Sequence, residues 1–346
     1  MDLSTFRPER ILLCQLRQIG DVLLSTPTVD ILAKAYPQAE IHFFTESKCA
    51  PMLQNNPHIA KVWSVDKKKL PTLWHELCFY REVTRSAFDL VVDFQQLPRC
   101  RWVVGFSGAK VRLASEVRWY NRPLYTHSTT PKHDYAASFK AQTLAPLSLG
   151  WNGERPRLYL TEDEHALAHR LFEEMGVANS PVISMDISHR RATRRWPAIC
   201  YARLVEGLAE QYPQARFFLP YGPGEERDVE ELRTLCAVQG RLAIPNRVIG
   251  LRKLAACIER SVMHIGNCSA PRHMAVAVNT PTFTLLGATS TGWTFPSPEH
   301  TVIHTSLPCQ PCNKNTCPRD LECLTLLTPE KVLPKVLEHI RQFAAL

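Results

Sequence analysis

Two successive series of short apolar runs, alternating with helix-spaced segments, restrict the possible folds of this chain more than any other feature. In the first series, Ile11 to Cys14 is an apolar run followed by a turn. Asp21 to Ala35 then shows helical spacing at Val22, Thr26, Val29, Leu32 and Ala33. Ile41 to Phe44, Val62 to Val65 and Leu90 to Asp93 read as further strands, the last one buried with a polar residue at its carboxyl end. The second series runs through Pro181 to Met185, Arg216 to Leu219, Met263 to Ile265 and Thr282 to Leu286. Strands that alternate with helices belong in parallel sheets, so the predicted fold is α/β, with two doubly wound domains and a cleft between them. The turn-rich stretch Trp151 to Pro156 reads as the linker. It places the domains at 1–155 and 156–327, with a terminal helix over 328–346. Thr161 with Glu164 three residues later forms a capping box, and Thr328 before Pro329 reads as an N-cap with proline at the first helical position.

A chain of 346 residues is long enough to bury two separate cores. The apolar runs are too short to span a bilayer, and Met1 to Arg10 lacks the apolar stretch and cleavage site of a secretory signal, so the expected location is the cytoplasm. Of 12 cysteines, eight are scattered singly, as reduced core thiols are. The formal charge of +8 suits any polyanionic partner. No helix-turn-helix, zinc-finger or RNA-binding signature surrounds the basic residues, so nucleic acid is not an expected partner. The densest basic run, Lys67 to Lys69, reads as a solvated loop.

The loop Arg17-Gln18-Ile19-Gly20-Asp21-Val22-Leu23 falls where open α/β sheets place ligands, between the end of the first strand and the start of the first helix. Asp21 either projects into that site or complements the helix dipole. The stretch from Arg17 to Pro27 resembles the opening signature of the glycosyltransferase family 9 heptosyltransferases. Asp93-Phe94-Gln95 and Gly108-Ala109-Lys110-Val111-Arg112 are similar to that family's mid-domain segments. Thr193-Arg194-Arg195-Trp196-Pro197 resembles its basic-x-Trp-Pro motif. Ser269 to Ala275, with Pro281, Gly287-Ala288-Thr289 and Trp293, resembles its donor segment. The similarity covers nearly the whole chain in the family's order.

The resemblance implies a GT-B architecture of two Rossmann-like domains, with the acceptor on the first and an ADP-heptose donor on the second. It implies transfer of heptose, with inversion, from ADP-L-glycero-D-manno-heptose to an inner-core lipopolysaccharide acceptor, and peripheral contact with the cytoplasmic face of the inner membrane. Mapped by position, Asp21 is the general base and Arg194 the phosphate-binding cation. Ser269, His273 and Thr289 are the further donor contacts, although an isolated histidine on an apolar helix equally reads as a core group. Arg17, Arg118, Arg122 and Lys132 are candidate acceptor contacts for an anionic sugar. Gly222-Pro223-Gly224 is placed to line the nucleotide base, and Arg190, Arg191 and Arg195 to give electrostatic support.

Leaving-group charge can be met by a cation and helix-terminal amides, so no cofactor is expected for catalysis. Cys309, Cys312, Cys317 and Cys323 are dense enough to bind zinc or an iron–sulfur cluster as a structural metal, though close pairs also occur without one. The chain departs from the family at Cys268, where Asp is usual, and at Ala270, where Gly is usual. These departures leave two alternatives: a family 9 transferase with another sugar nucleotide or acceptor, and a catalytically weakened, metal-bearing binding protein on the same fold.

Overall fold

The computed structural model describes residues 3–132, 134–344 and 346; Met1 and Asp2, part of the N-terminal stretch discussed above, lie outside the described residues. The chain divides into two units, the first ending at Tyr159 and the second beginning at Leu160. Each holds one six-stranded sheet.

The first sheet consists of β1 (Arg10–Cys14), β2 (Glu40–Glu46), β3 (Lys61–Val65), β4 (Leu90–Asp93), β5 (Val111–Ser115) and β6 (His127–Thr129), in the order β3-β2-β1-β4-β5-β6. Every pairing is parallel. Ile11 is matched with Ile41 on one side and Leu90 on the other, so the apolar runs predicted from the sequence form one central rung. The strand order reverses between β1 and β4, and ligands of doubly wound sheets bind at such a switch point. Among the described residues, the α-helices that accompany this sheet are α1 (Ile19–Leu23), α2 (Thr26–Ala35), α3 (Leu73–Thr84), α4 (Pro98–Phe106) and α5 (Ala136–Ala141). Tyr80, Val83, Cys100 and Val103 of α3 and α4 pack on Leu12, Cys14 and Val91 to close one core.

The single helix expected over Asp21 to Ala35 is in fact two, because Pro27 has no N–H to give to Leu23 and its ring crowds the preceding turn. The Thr26 hydroxyl donates to the Leu23 carbonyl instead, at 2.7 Å, and Ser25 donates to the Asp21 carbonyl at 2.8 Å. The break leaves α1 as a five-residue helix directly after the loop that follows β1.

The second sheet repeats the plan with β7 (Val182–Asp186), β8 (Arg216–Phe218), β9 (Leu242–Ala243), β10 (Met263–Asn267), β11 (Thr282–Leu285) and β12 (His300–Ile303), all parallel, in the order β12-β11-β10-β7-β8-β9. Its switch point lies between β7 and β10. The accompanying helices are α6 (Glu162–Glu174), α7 (Ala198–Gln211), α8 (Glu226–Leu235), α9 (Leu251–Glu259), α10 (Ala270–Ala277), α11 (Glu322–Thr325) and α12 (Pro329–Phe343). The capping box is present: Thr161 Oγ1 accepts from Glu164 N at 3.3 Å, and Glu164 Oε2 from Thr161 N at 2.9 Å. Arg252 of α9 clamps the same carboxylate, so the cap also ties two helices together. Thr328 stands at the N-cap of α12 with Pro329 in the first turn. Among the described residues no helix is long and apolar enough to cross a membrane.

Candidate functional site

In the first unit the loop after β1 is held by side chains from two other strand ends. Asp93, fully buried at the end of β4, accepts hydrogen bonds from the Tyr125 hydroxyl at 2.8 Å and from the amides of Gln95 and Gln96 at 3.0 and 2.8 Å. Burial raises its titration, and those donors oppose the rise. The turn so fixed aims Gln95, whose Oε1 accepts from the amides of Leu16 and Arg17 at 3.1 and 3.2 Å. Asp21 follows in the first turn of α1, where its Oδ2 accepts from Gln18 N at 3.1 Å. Its other oxygen faces Lys140 Nζ at 3.8 Å, and Lys140 donates to Gln15 Oε1 at 2.6 Å. Lys140 is buried on α5, which pulls its titration down, with Asp21 opposing. The Asp21 carboxylate is half-buried, fixed by a backbone amide and a buried cation, and still reaches solvent.

Asp21 thus does cap its helix, and the two roles weighed for it from the sequence are compatible. Lys140 and Gln15 were not anticipated as site residues. Arg17, Arg118, Arg122 and Lys132 are exposed. Arg118 donates to the Tyr120 hydroxyl at 2.9 Å, and the Lys132 backbone exchanges hydrogen bonds with Gln142.

In the second unit the candidate donor residues gather at the switch point. Trp196 is fully buried; its amide donates to Asn267 Oδ1 at 3.0 Å and its indole N–H to the Leu327 carbonyl at 2.8 Å. This anchor fixes the register of the loop before it. Ala288 N donates to the Thr193 carbonyl at 2.9 Å, and a Cβ at Gly287 would lie 2.3 Å from that oxygen, so only glycine lets the two loops meet. Arg194 follows Thr193 directly, with a buried Nε that has no hydrogen-bond partner. Burial and Arg191 lower its titration, whereas Cys268 and Cys312 raise it. The hydroxyl of Thr289, also buried, has no partner either. Two polar groups left unsatisfied at one sheet edge are costly unless a ligand completes them.

Ser269 occupies the N-cap position of α10, but it does not cap. Its hydroxyl donates to Asp186 Oδ2 at the end of β7. A serine directly before a helix with proline in its first turn ordinarily caps the first-turn amides; here a carboxylate distant in sequence withdraws the hydroxyl, leaving the amides without a side-chain cap. Asp186 is buried, and its titration is pushed up to about 7 by burial, opposed by the Ser269 hydroxyl and reinforced by Glu225. Glu225 Oε2 itself accepts from Ser188 Oγ at 2.7 Å and Gly222 N at 2.8 Å. His189, flanked by Arg194 and Arg191, is pushed down to about 4, mainly by burial. Burial and Arg272 also keep His273 neutral; its ring packs edge-on to Trp293 at 6.2 Å.

Of the supporting arginines, Arg195 is engaged with both oxygens of Asp228 at 2.9 Å. Beside it opens a cavity of about 540 Å³ lined by His189, Arg190, Pro223, Gly224, Glu225 and Arg227 among others, which places the Gly222 to Gly224 turn at a pocket wall. Neither Asp186 nor Glu225 was singled out from the sequence.

The cysteines are all free. Cys78 is exposed, unlike the core thiols expected for the scattered set. Cys309, Cys312, Cys317 and Cys323 line one hollow of about 20 Å³, room for about one water. Among the described residues no three His, Cys, Asp or Glu side chains converge in a way that could hold a metal ion. The segment braces the loops after β7 and β11: Thr193 Oγ1 donates to the Lys314 carbonyl at 2.8 Å, Asn313 N to the Ala288 carbonyl at 2.8 Å, and Gln310 Nε2 to the Gly287 carbonyl at 2.8 Å.

Residues 77–322 match the family model described as glycosyltransferase family 9 (heptosyltransferase). Lipopolysaccharide heptosyltransferase 3 of Escherichia coli is 24% identical over 280 residues, 78% of this chain and 81% of that protein. The crystal structure of a family 9 glycosyl transferase from Veillonella parvula superposes with a TM-score of 0.83 at 21% identity, covering 99% of both chains. The E. coli heptosyltransferase WaaC with ADP-2-deoxy-2-fluoro heptose superposes with a TM-score of 0.72 at 16% identity, covering 95% of this chain and 99% of that one.

Proposed function

The chain belongs to glycosyltransferase family 9, the heptosyltransferases, and from that premise we propose that it moves L-glycero-D-manno-heptose, with inversion, from its ADP-linked donor to an inner-core lipopolysaccharide acceptor. The observation that carries this reading is a set of unsatisfied groups in the second unit: Arg194, near enough to Cys268 to feel its charge, and Thr289, after the strand β11 that pairs with β10, hold buried polar atoms without partners, and the α10 start has its cap hydroxyl engaged elsewhere. A diphosphate would satisfy all three, with the guanidinium and helix amides meeting the negative charge.

In this reading an acceptor hydroxyl attacks the anomeric carbon as the bond to the diphosphate breaks. Asp21 takes the hydroxyl proton, its carboxylate held in place by Gln18 N and Lys140. Charge on the departing ADP is met by Arg194 and the first-turn amides of α10, so the step requires no metal. His273, being neutral, acts as a hydrogen-bonding or packing group toward the donor. Arg17, Arg118, Arg122 and Lys132 attract the anionic acceptor, whose lipid anchor keeps the enzyme in peripheral contact with the cytoplasmic face of the inner membrane. The solved relative with a fluorinated ADP-heptose analogue supports the donor class.

One observation favours a second reading, a different sugar nucleotide. Position 268 carries Cys, and the carboxylate nearest the α10 start is supplied by Asp186. Purified protein incubated with ADP-heptose and truncated core acceptors, read by mass spectrometry, separates the two. The first reading requires an acceptor mass gain of one heptose; consumption of another sugar nucleotide in preference to ADP-heptose overturns it.

A further inference from the structure

We propose that the outer face of α4, with the adjoining start of α3 and the turn Trp119–Leu124, is a docking surface for an anionic lipid bilayer. Among the described residues, every exposed tryptophan and tyrosine lies here: Trp74 is 68% exposed, Trp102 46% and Trp119 81%, with Tyr120 beside it. Single exposed apolar residues are ordinary, but three exposed indoles on adjoining segments are not. The three segments are fastened side by side. Arg99 Nε of α4 donates to Glu76 of α3 at 3.2 Å, and Arg101 of α4 donates to Asn121 Oδ1 at 2.8 Å. Trp102 and Phe106 pack with ring centroids 5.5 Å apart, and with Pro98, Arg101, Gly105 and Leu124 they line an open groove of about 410 Å³.

Charge decides what occupies this face. From Pro98 to Leu124 there are six basic side chains and one acidic one, Glu116. Lys110, Arg118 and Arg122 are exposed, as are Lys68 and Lys69 in the loop leading to α3. A second copy docking the same face on itself would bring like charges together, because a two-fold contact pairs each patch with its twin. An anionic headgroup layer complements the cations, and the amphipathic indole and phenol rings partition to headgroup depth. Basic charge together with inserted aromatic side chains provides the two signals that stable peripheral binding requires. The loops after β3, β4 and β5 all leave the parallel sheet at its carboxyl edge, as does the loop after β1 that carries Asp21. Docking here would present a membrane-borne acceptor along the edge where Asp21 stands, and in that respect the proposal rests on the transferase reading above.

The test is co-sedimentation of the full chain with phosphatidylcholine vesicles made with and without phosphatidylglycerol. The wild type should pellet with the anionic vesicles at least about tenfold more strongly than with the neutral ones, and salt should weaken the binding. Trp102→Ala/Trp119→Ala should lose about tenfold in apparent affinity while keeping the wild-type melting midpoint and its rate on a soluble, deacylated acceptor. If the double variant melts early, Trp119→Ser alone serves, because that ring is almost entirely in solvent. Three results would each overturn the proposal: no pelleting of the wild type with anionic vesicles, variants that pellet as the wild type does, or sedimentation velocity showing that the variants dissociate a dimer while vesicle binding persists. Intact vesicle binding without transfer from any sugar nucleotide would instead count against the transferase reading alone.

Discussion

Asp186→Asn tests the electrostatics of the donor-site candidate through the raised titration of a buried carboxyl. The buried carboxyl titrates at about 7 in the folded unit against an ordinary 3.8. A folded value above the unfolded one means that the folded state holds the extra proton between those limits. The associated stability is full below pH 3.8, falls through the window, and is level above pH 7. At about 1.4 kcal/mol per pH unit, the raised titration costs the fold about 4 kcal/mol at pH 8, where the buried group is ionised, and about 2 kcal/mol at pH 5, where folding must take up the proton that the unfolded chain has released. Asparagine cannot ionise and its amide oxygen still accepts from the Ser269 hydroxyl. The stability difference between variant and wild type should therefore widen by about 2–3 kcal/mol, in the variant's favour, from pH 5 to pH 8. Urea unfolding of both proteins across that range, followed by circular dichroism, measures it. A difference that stays constant, or narrows with rising pH, would refute the assignment of the proton to Asp186. The same proton should bear on ligand binding, because an ionised Asp186 repels a diphosphate at the α10 start. Calorimetric ADP affinity of the wild type should fall more steeply than that of the variant as pH passes through 7.

Asp21→Asn should abolish transfer while leaving donor affinity nearly intact, since the amide keeps the shape and cannot accept the proton; near-native turnover would remove Asp21 from the mechanism. Arg194→Ala should weaken ADP binding by about 1.5–3 kcal/mol as well as slowing turnover, by deleting a charge-assisted contact, and unchanged affinity by calorimetry would exclude that contact. Cys268→Asp places a carboxylate close enough to Arg194 for the two positions to interact electrostatically. If the natural donor is ADP-heptose, its affinity should rise by about 1–3 kcal/mol, whereas a switch of preferred sugar nucleotide between wild type and variant in a binding panel would sink the donor assignment.

Most of the strands that proved legible are buried on both faces, because a run such as Leu90-Val91-Val92 has no other stable home in a chain of this composition; β3 is half exposed and was legible from its alternation of buried Trp63 and Val65 with exposed Ser64. β9, only two residues long, and β12, with its mixed His300-Thr301-Val302-Ile303, give no comparable signal. They are defined by their pairing with β8 and β11 rather than by their own sequence. The same distinction separates local from distant chemistry at the sites. The capping box at Thr161 was readable because both partners lie within one turn, and it formed as expected. Ser269 carries an equally good local signal and does something else, because Asp186 arrives from β7 through parallel pairing across β10 and offers its hydroxyl a stronger acceptor. Lys140 was hidden for the same reason. In sequence it is one charged residue on a short helix, and it becomes a site residue only when folding buries it against Gln15 and Asp21. A buried lysine and a buried aspartate each incur a desolvation penalty that no local pattern encodes. Both are found where a sheet reverses its strand order, the place where the fold itself leaves a concavity for a ligand to fill.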